Sequence, residues 1–206
     1  MAELTLRHAT IEYHEFGPRD SVYPPVLFVH GILVDGRLWG RVVEDLARRG
    51  FRCIVPTLPL GSHRIPVRDV TALSLSGVAE MIHDALVTLD LSDVTLVGSD
   101  TGGGLCQLVV DAHPDRIGRL VLTNCDAFDQ CPRTTDLTDV APRLPRFTKP
   151  VTLVWGQRDR CFTPGLGRRL AALFSNAKLI EVPDAKTFVA LDEPDAVIDA
   201  IAAITA

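Results

Sequence analysis

The reactive side chains of this protein are expected in a strand, turn and helix pattern around residue 100. The stretch VTLVGSDTGGGLCQLVV (94–110) begins as a short apolar run, passes through a glycine-rich turn and continues with helical spacing. Ser99, Asp100 and Thr101 lie in that turn, and each has a side chain able to attack an electrophile. A tight turn of this kind lifts one nucleophile clear of the sheet, so the question is which of the three it presents.

The spacing of small residues distinguishes the three candidates. A nucleophile elbow needs small residues two positions before and two positions after the reactive one, because its backbone passes close to a neighbouring strand and helix. Asp100 meets this requirement with Gly98 and Gly102, whereas Ser99 is flanked at those distances by a valine and a threonine. Thr101 has small neighbours, but choosing it leaves Asp100 without a role. We interpret Asp100 as the nucleophile; the alternative is that its carboxylate only caps the following helix.

Composition and charge limit the classes of function. The chain has 206 residues, of which 47% are hydrophobic and 23% charged, and this predicts one globular domain over residues 1–206. A net charge of −5 argues against nucleic acid or an anionic membrane surface as a partner. The N-terminal stretch has no basic segment followed by an apolar one, and no apolar run is long enough to span a bilayer. We therefore expect a cytoplasmic protein.

The cysteines argue against a metal centre and a disulfide framework. There are five of them, an odd number, without any CxxC pair. They are interpreted as reduced structural thiols. No cofactor and no metal are predicted; the cysteines are Cys53, Cys106, Cys125, Cys131 and Cys161.

Strand-like and helix-like segments alternate along the chain. Short apolar runs rich in Val, Ile and Leu predict buried parallel strands at 26–30, 52–56, 94–98, 118–124, 150–156 and 177–183. Segments with helical spacing lie between them at 36–50, 69–91 and 165–176. The first segments, 4–10 and 11–17, alternate like an antiparallel pair at one edge, and 126–150 is interpreted as irregular. The fold class is α/β, with a mostly parallel central sheet and helices on both faces.

The chain resembles the α/β-hydrolase superfamily over nearly its whole length, because three of its motifs follow one another in the order and spacing found in that family. HGILVDGRLW (30–39) resembles the family's HG motif after the first central strand, and WGQRD ends in Asp159 where the family often has its triad acid. GSDTGG (98–103) resembles the elbow of the aspartate-nucleophile branch, the haloalkane dehalogenases and epoxide hydrolases, more than the G-x-S-x-G of esterases.

The resemblance implies a two-step displacement. Asp100 attacks an electrophilic carbon of a small apolar ester, halide or epoxide, and an activated water then hydrolyses the enzyme-bound ester. The N–H groups of Ile32 and Thr101 are implied to form the oxyanion hole. The acid that orients the catalytic histidine is Asp159 or alternatively Asp126, and either could instead be a plain turn residue. The resemblance also implies a substrate-binding surface formed by His30, Leu33 and Thr187.

Two departures from the family pattern argue against full activity. Where the family has its histidine after the last strand, this chain has Thr187, and threonine cannot act as a base near neutral pH. His63, on a loop, is the first substitute to consider. The cap that family members insert between the fourth and fifth central strands is expected to be absent, because only about two dozen residues lie there.

Three hypotheses follow from these features. The first, which we favour, is an aspartate-nucleophile hydrolase impaired in the second step, and the next is a catalytically silent homologue that binds a small ligand or a protein. A serine esterase that uses Ser99 is disfavoured by the elbow spacing. Without a cap, Ile32, Leu33 and Leu60 should be exposed near the site, which predicts self-association or a protein partner.

Overall fold

One eight-stranded sheet organises the protein. The computed structural model describes residues 1–128 and 135–205, with the exception of the Thr135 side chain. The strand order is β1-β2-β4-β3-β5-β6-β7-β8. The strands are β1 (Ala2–Thr5), β2 (Thr10–Phe16), β3 (Val26–Val29), β4 (Cys53–Thr57), β5 (Val94–Asp100), β6 (Ile117–Cys125), β7 (Val151–Gly156) and β8 (Ala177–Val182).

The sheet is parallel apart from one edge, as the sequence predicts. β1 and β2 form an antiparallel pair, and β2 runs antiparallel to β4, while all other neighbours are parallel. Every residue of β3 and of β7 is buried. Strands buried on both faces have no polar side to alternate with, which is why these segments are continuous apolar runs in the sequence.

Helices cover both faces of the sheet. The α-helices are α1 (Gly40–Arg48), α2 (Leu75–Thr88), α3 (Thr101–Ala112), α4 (Thr135–Val140), α5 (Pro164–Ala171), α6 (Val189–Asp192) and α7 (Pro194–Thr205). α1, α6 and α7 pack on one face, and α2, α3, α4 and α5 pack on the other. No helix in the described part of the chain is long and apolar enough to cross a membrane.

Several element boundaries differ from the predictions. The segment 36–50 is not one helix: a 3-10 turn occupies 36–39, where the Asp35 side chain accepts a hydrogen bond from the Arg37 N–H, and α1 follows. The stretch 126–150, predicted to be irregular, contains α4 and a 3-10 segment at 141–146. α5 starts at Pro164, which suits the first position of a helix, and ends at Ala171, before the predicted end at 176.

Four of the five cysteines lie among the described residues, and none of the four forms a disulfide with another described cysteine. Cys53, Cys106 and Cys125 are free and buried, and Cys161 is free and exposed. Burial raises the pKa of Cys53 to about 12, so this thiol stays protonated and unreactive at neutral pH. Cys131 lies outside the described residues.

Candidate active site

The backbone at Asp100 has the conformation of a strained elbow. β5 ends at Asp100 and α3 begins at Thr101 without any linking residue. Asp100 has φ 57° and ψ −134°, a positive φ that L-residues rarely adopt. Such a conformation costs about 1–3 kcal/mol and persists only where the surrounding structure imposes it. The elbow is therefore held by its neighbours.

Two glycines allow those neighbours to approach. A Cβ on Gly102 would lie 2.3 Å from the Val29 carbonyl oxygen, and one on Gly98 would lie 2.7 Å from the Gly103 Cα. Both contacts involve backbone, which cannot move aside as a flexible side chain would. The small residues two positions before and after Asp100 thus have the steric role that the elbow pattern gives them.

Ser99 is not available for chemistry at this turn. Its side chain is fully buried, and its Oγ has no hydrogen-bond partner among the described residues. It lies beside Thr123 in the β5–β6 register, whereas Asp100 is partly exposed at the end of the strand. A substrate at the carboxyl end of the sheet can reach Asp100 but not Ser99.

The loop after β3 packs directly against Asp100. A Cβ on Gly31 would lie 2.6 Å from the Asp100 Cβ and 2.9 Å from its Oδ1, so only glycine permits this approach. His30 is fully buried and holds the loop through both ring nitrogens: Nδ1 is 2.8 Å from the Gly31 carbonyl oxygen, and Nε2 accepts a hydrogen bond of 2.9 Å from the Leu58 N–H. Burial lowers the pKa of His30, against a smaller opposing effect of the Gly31 hydrogen bond, so the ring is neutral.

These contacts correct the placement of His30 in the substrate-binding surface. A fully buried ring with both nitrogens engaged has no atom left for direct contact with a bound molecule. The hydrogen bonds of His30 hold the 30–33 loop in place. Leu33 is different: it is 75% exposed with φ 61°, and its N–H donates to the Leu60 carbonyl oxygen at 2.9 Å.

The apolar rim of the site has two strongly exposed residues. Ile32 is 54% exposed and lies next to Leu33 on the loop that packs against Asp100. Leu60, expected to be exposed with them, is only half-exposed because it packs against the buried cluster on the α2 and α3 face. The exposed rim is therefore narrower than the sequence predicts.

The two N–H groups predicted for the oxyanion hole differ in the resting protein. The Thr101 N–H donates to the Asp100 Oδ1. The Ile32 N–H makes no hydrogen bond with any residue in the described ranges. The contact between the Thr101 N–H and Asp100 is also the one that the capping alternative predicts, because Asp100 is the N-cap residue of α3.

Asp126 is connected to Asp100 through one hydroxyl group. The Thr101 Oγ1 lies 3.0 Å from the Asp100 Oδ1 and 3.0 Å from the Asp126 Oδ2. Asp126 is buried, and the Gln107 Nε2 donates to its backbone carbonyl oxygen at 2.7 Å. Burial raises the pKa of Asp126; the hydrogen bond from Thr101 opposes this shift, and the negative charge of Asp100 adds to it.

Asp159 is buried and fully engaged in its own loop. Its Oδ1 accepts hydrogen bonds from the Cys161 and Phe162 N–H groups at 2.8 and 3.1 Å, and its Oδ2 accepts one of 3.0 Å from the Asn124 Nδ2. The Asn124 Oδ1 in turn accepts from the Gly156 N–H at 2.6 Å. Asn124 thus ties the end of β6 to the loop after β7, a role that sequence reasoning missed. The sequence feature that could have pointed to Asn124 is a polar residue near the carboxyl end of a buried strand.

Thr187 and Asp159 line one cavity of about 520 Å³, together with Arg158, Arg160, Cys161 and Lys186. Burial raises the pKa of the exposed Cys161 thiol, and the negative charges of Asp159, Asp126 and Asp100 add to this shift. His63 has its Nδ1 3.4 Å from the Gly61 N–H in its own loop and makes no hydrogen bond to Asp100.

Comparison with known proteins identifies the family to which this chain belongs. A family model described as alpha/beta hydrolase fold matches residues 24–139. The chain is 30% identical to a haloalkane dehalogenase of Psychrobacter cryohalolentis over 114 residues, 55% of this chain and 37% of that protein. It is 34% identical to a non-heme chloroperoxidase of Kitasatospora aureofaciens over 89 residues, 43% of this chain and 32% of that protein.

The likeness also extends over the whole fold. A thermophilic esterase from Thermogutta terrifontis superposes with a TM-score of 0.84 at 18% identity, covering 98% of this chain and 97% of that one. The curated relatives match over about a third of their own length. The matched segment contains the HG loop, the elbow and Asp126, in an eight-stranded sheet of the order described above. The chain belongs to the α/β-hydrolase fold family.

Proposed function

We propose that this protein is a hydrolase in which Asp100 forms a covalent ester with a small apolar ester, halide or epoxide. The observation that carries the proposal is that Asp100, with φ 57°, is the side chain on the strained elbow, while Ser99 beside it is fully buried. The similarity to a haloalkane dehalogenase supports it. The loop of residues 30–33 also supports it, because Gly31 allows this loop to pack directly against Asp100.

The first step needs no proton transfer. An oxygen of the Asp100 carboxylate attacks an alkyl carbon of the substrate and a C–O bond forms. The bond from that carbon to the halogen or to the carboxylate oxygen of the substrate ester breaks, and the halide or carboxylate departs with the electron pair; an epoxide opens instead to an alkoxide that stays attached and afterwards takes a proton from water. The product is an ester of Asp100. The exposed side chains of Ile32 and Leu33 beside Asp100 suit an apolar substrate.

The second step needs a water and a base. Water adds to the carbonyl carbon of the Asp100 ester, and the negative charge that develops on its oxygen faces the N–H groups of Ile32 and Thr101. Thr187 supplies no base at neutral pH. Loss of general-base assistance commonly slows such a step by about 10²–10⁴-fold, so the ester accumulates.

Asp126 is the group best placed to assist this slow step. Once Asp100 is an ester, it no longer carries the negative charge that contributes to the raised pKa of Asp126. Asp126 then ionises more readily and, across the Thr101 hydroxyl, becomes a carboxylate able to accept a proton from water. This assignment replaces the role of a histidine-orienting acid, for which this chain has no histidine at position 187.

Intact-mass spectrometry tests the proposal directly. The protein is incubated with alkyl halides, epoxides and activated esters, and we expect one adduct that maps to the peptide containing residues 98–103. Asp100→Asn should abolish the adduct, because an amide is a poor nucleophile and Asn tolerates the positive φ. Ser99→Ala is the matched control and should label normally. An adduct that persists in Asp100→Asn would contradict the proposal.

The second candidate function is binding without catalysis. It is favoured by Thr187 and by Asp159, whose oxygens are already engaged by Cys161, Phe162 and Asn124. In that case a folded protein would show no adduct with any class of electrophile, yet would bind a small apolar molecule in competition with a dye at the Ile32 and Leu33 rim.

A further inference from the structure

A second cluster of chemically competent side chains lies away from the elbow, where α2 packs against the end of α3. Glu80 and His83 are three residues apart on α2, so they lie on the same face of that helix. His113 immediately follows α3. The His113 Nε2 is 2.7 Å from the Glu80 Oε1, and the rings of His83 and His113 stack with centroids 3.7 Å apart and planes 11° apart.

The donor atoms of these three residues converge. One carboxylate oxygen of Glu80 and one nitrogen from each of the two histidines all lie within 4.8 Å of one another. Two ligands of one zinc ion, each about 2.0–2.2 Å from it, are at most about 4.4 Å apart. The rings lie face to face, so one of them must turn about its Cβ–Cγ bond to direct its nitrogen at the same ion. That rotation leaves both helices in place.

The cluster is accessible from solvent. Glu80 is exposed, while both histidines are half-buried. A depression of about 290 Å³ beside Glu80 and His113 gives access from solvent and is also lined by Asp111, Asp136 and Asp139.

We propose that Glu80, His83 and His113 bind one first-row divalent transition-metal ion, with Zn²⁺ as the best match to two imidazoles and a carboxylate. The ion joins α2 to the carboxyl end of α3. Because α3 has 12 residues, its two ends are about 18 Å apart at 1.5 Å per residue. The metal site is therefore separate from Asp100, and its role is to stabilise the α2–α3 pair.

The test uses the whole protein, stripped of metal with a chelator and titrated with Zn²⁺ and with Co²⁺. Because Cys161 is exposed, Cys161→Ser is the background for every measurement, so that binding through this thiol does not contribute. We expect one equivalent of Zn²⁺ by calorimetry and a rise in the unfolding midpoint that increases with the Zn²⁺ concentration. Affinity should fall as the pH drops below the ordinary histidine pKa of about 6.5, because protons compete for the nitrogens.

Single substitutions assign the ligands. His83→Gln and His113→Gln should each weaken Zn²⁺ binding at least tenfold and remove the rise in the unfolding midpoint. His8→Gln is the matched control, since His8 also pairs with a carboxylate, Asp69 at 3.2 Å, but belongs to no cluster of three among the described residues. Binding that is unchanged in both variants, equally weakened by His8→Gln, or absent from the parent protein would overturn the proposal. None of these results depends on activity at Asp100.

Discussion

Asp100 and Asp126 approach the same hydroxyl group: the Thr101 Oγ1 is 3.0 Å from a carboxylate oxygen of each. A hydroxyl has one proton to donate, so it can donate to only one of two ionised carboxylates. Thr101 therefore links the two carboxylates and donates its one proton to one of them at a time. Asp126 is the buried member of the pair, and Asp100 is the partly exposed member at the end of β5.

The stability of Asp126→Asn should depend on pH. A carboxyl whose pKa is raised in the folded protein stabilises the fold below its ordinary pKa of 3.8, and this contribution is lost as the pH rises through the folded pKa. Asn cannot ionise and keeps a donor for Thr101. We expect the variant to gain stability relative to the parent as the pH rises through this window, with no further change below about 3.8 or well above it.

Urea unfolding at a series of pH values measures this difference. Asp136→Asn, which replaces an aspartate outside the Asp100 pair, is the control for a general loss of negative charge. A difference that falls with rising pH would show that Asp126 is ionised and stabilising in the folded protein.

Thr187→His should convert labelling into turnover. An imidazole at this position faces the cavity that Asp159 also lines and supplies the base that the second step lacks. We expect hydrolysis of the Asp100 ester to become about 10²–10⁴-fold faster, with little change in the rate of its formation. Rapid-quench mass spectrometry separates the two rates. Thr187→Asn, with no base, should behave like the parent; equal acceleration by both would exclude base catalysis as the cause.

Asp159→Asn should destabilise the fold without slowing the first step. The new amide NH₂ group would face the Asn124 Nδ2, which now donates to the Asp159 Oδ2. Loss of this charged hydrogen bond, with a donor left unpaired, should lower the free energy of unfolding by about 1–3 kcal/mol. Asp184→Asn is the control, because Asp184 is exposed and pairs only loosely with Arg158, at 3.7 Å. Unchanged stability in Asp159→Asn would mean that the loop does not need this carboxylate.

Gly102→Ala should be far more damaging than Gly40→Ala. The new methyl group at position 102 would lie 2.3 Å from the Val29 carbonyl oxygen, whereas at position 40 there is nothing within 4 Å. Overpacking of this kind costs about 1–3 kcal/mol. Each kcal/mol lowers the unfolding midpoint of a chain of this size by about 2–4 °C. Calorimetry of the two variants gives the comparison, and similar midpoints would refute the close approach of α3 to β3.

Self-association of the protein should depend on the exposed apolar rim formed by Ile32 and Leu33. We predict that Leu33→Asn weakens it, because the change removes a 75% exposed leucine and places a residue that tolerates positive φ at φ 61°. Val22→Ser removes a valine that is even more exposed, at 90%, from a different loop, and this change should have no effect. Sedimentation over a range of concentrations measures the change. A parent protein that stays monomeric throughout would contradict the prediction of self-association.

Local features of the sequence were enough to predict the elbow and most of the sheet. The period of apolar residues reflects burial within each element, and the spacing of Gly98 and Gly102 reflects steric limits within one turn, so both can be interpreted from neighbouring residues alone. The antiparallel edge and the parallel centre followed from the same reasoning. The helical turns within 126–150 were missed because Pro, Asp and Thr, which dominate that stretch, favour turns in isolation.

Only the tertiary structure determined which side chains contact one another in the candidate site. That Ser99 is buried beside Thr123, that Asn124 binds Asp159 and that one hydroxyl lies between Asp100 and Asp126 depend on strand register and on how α3 packs against its neighbours. The stacking of His83 on His113 brings together residues 30 positions apart. Sequence periodicity determines which face of an element is buried, but contacts between distant segments depend on packing that no single segment contains.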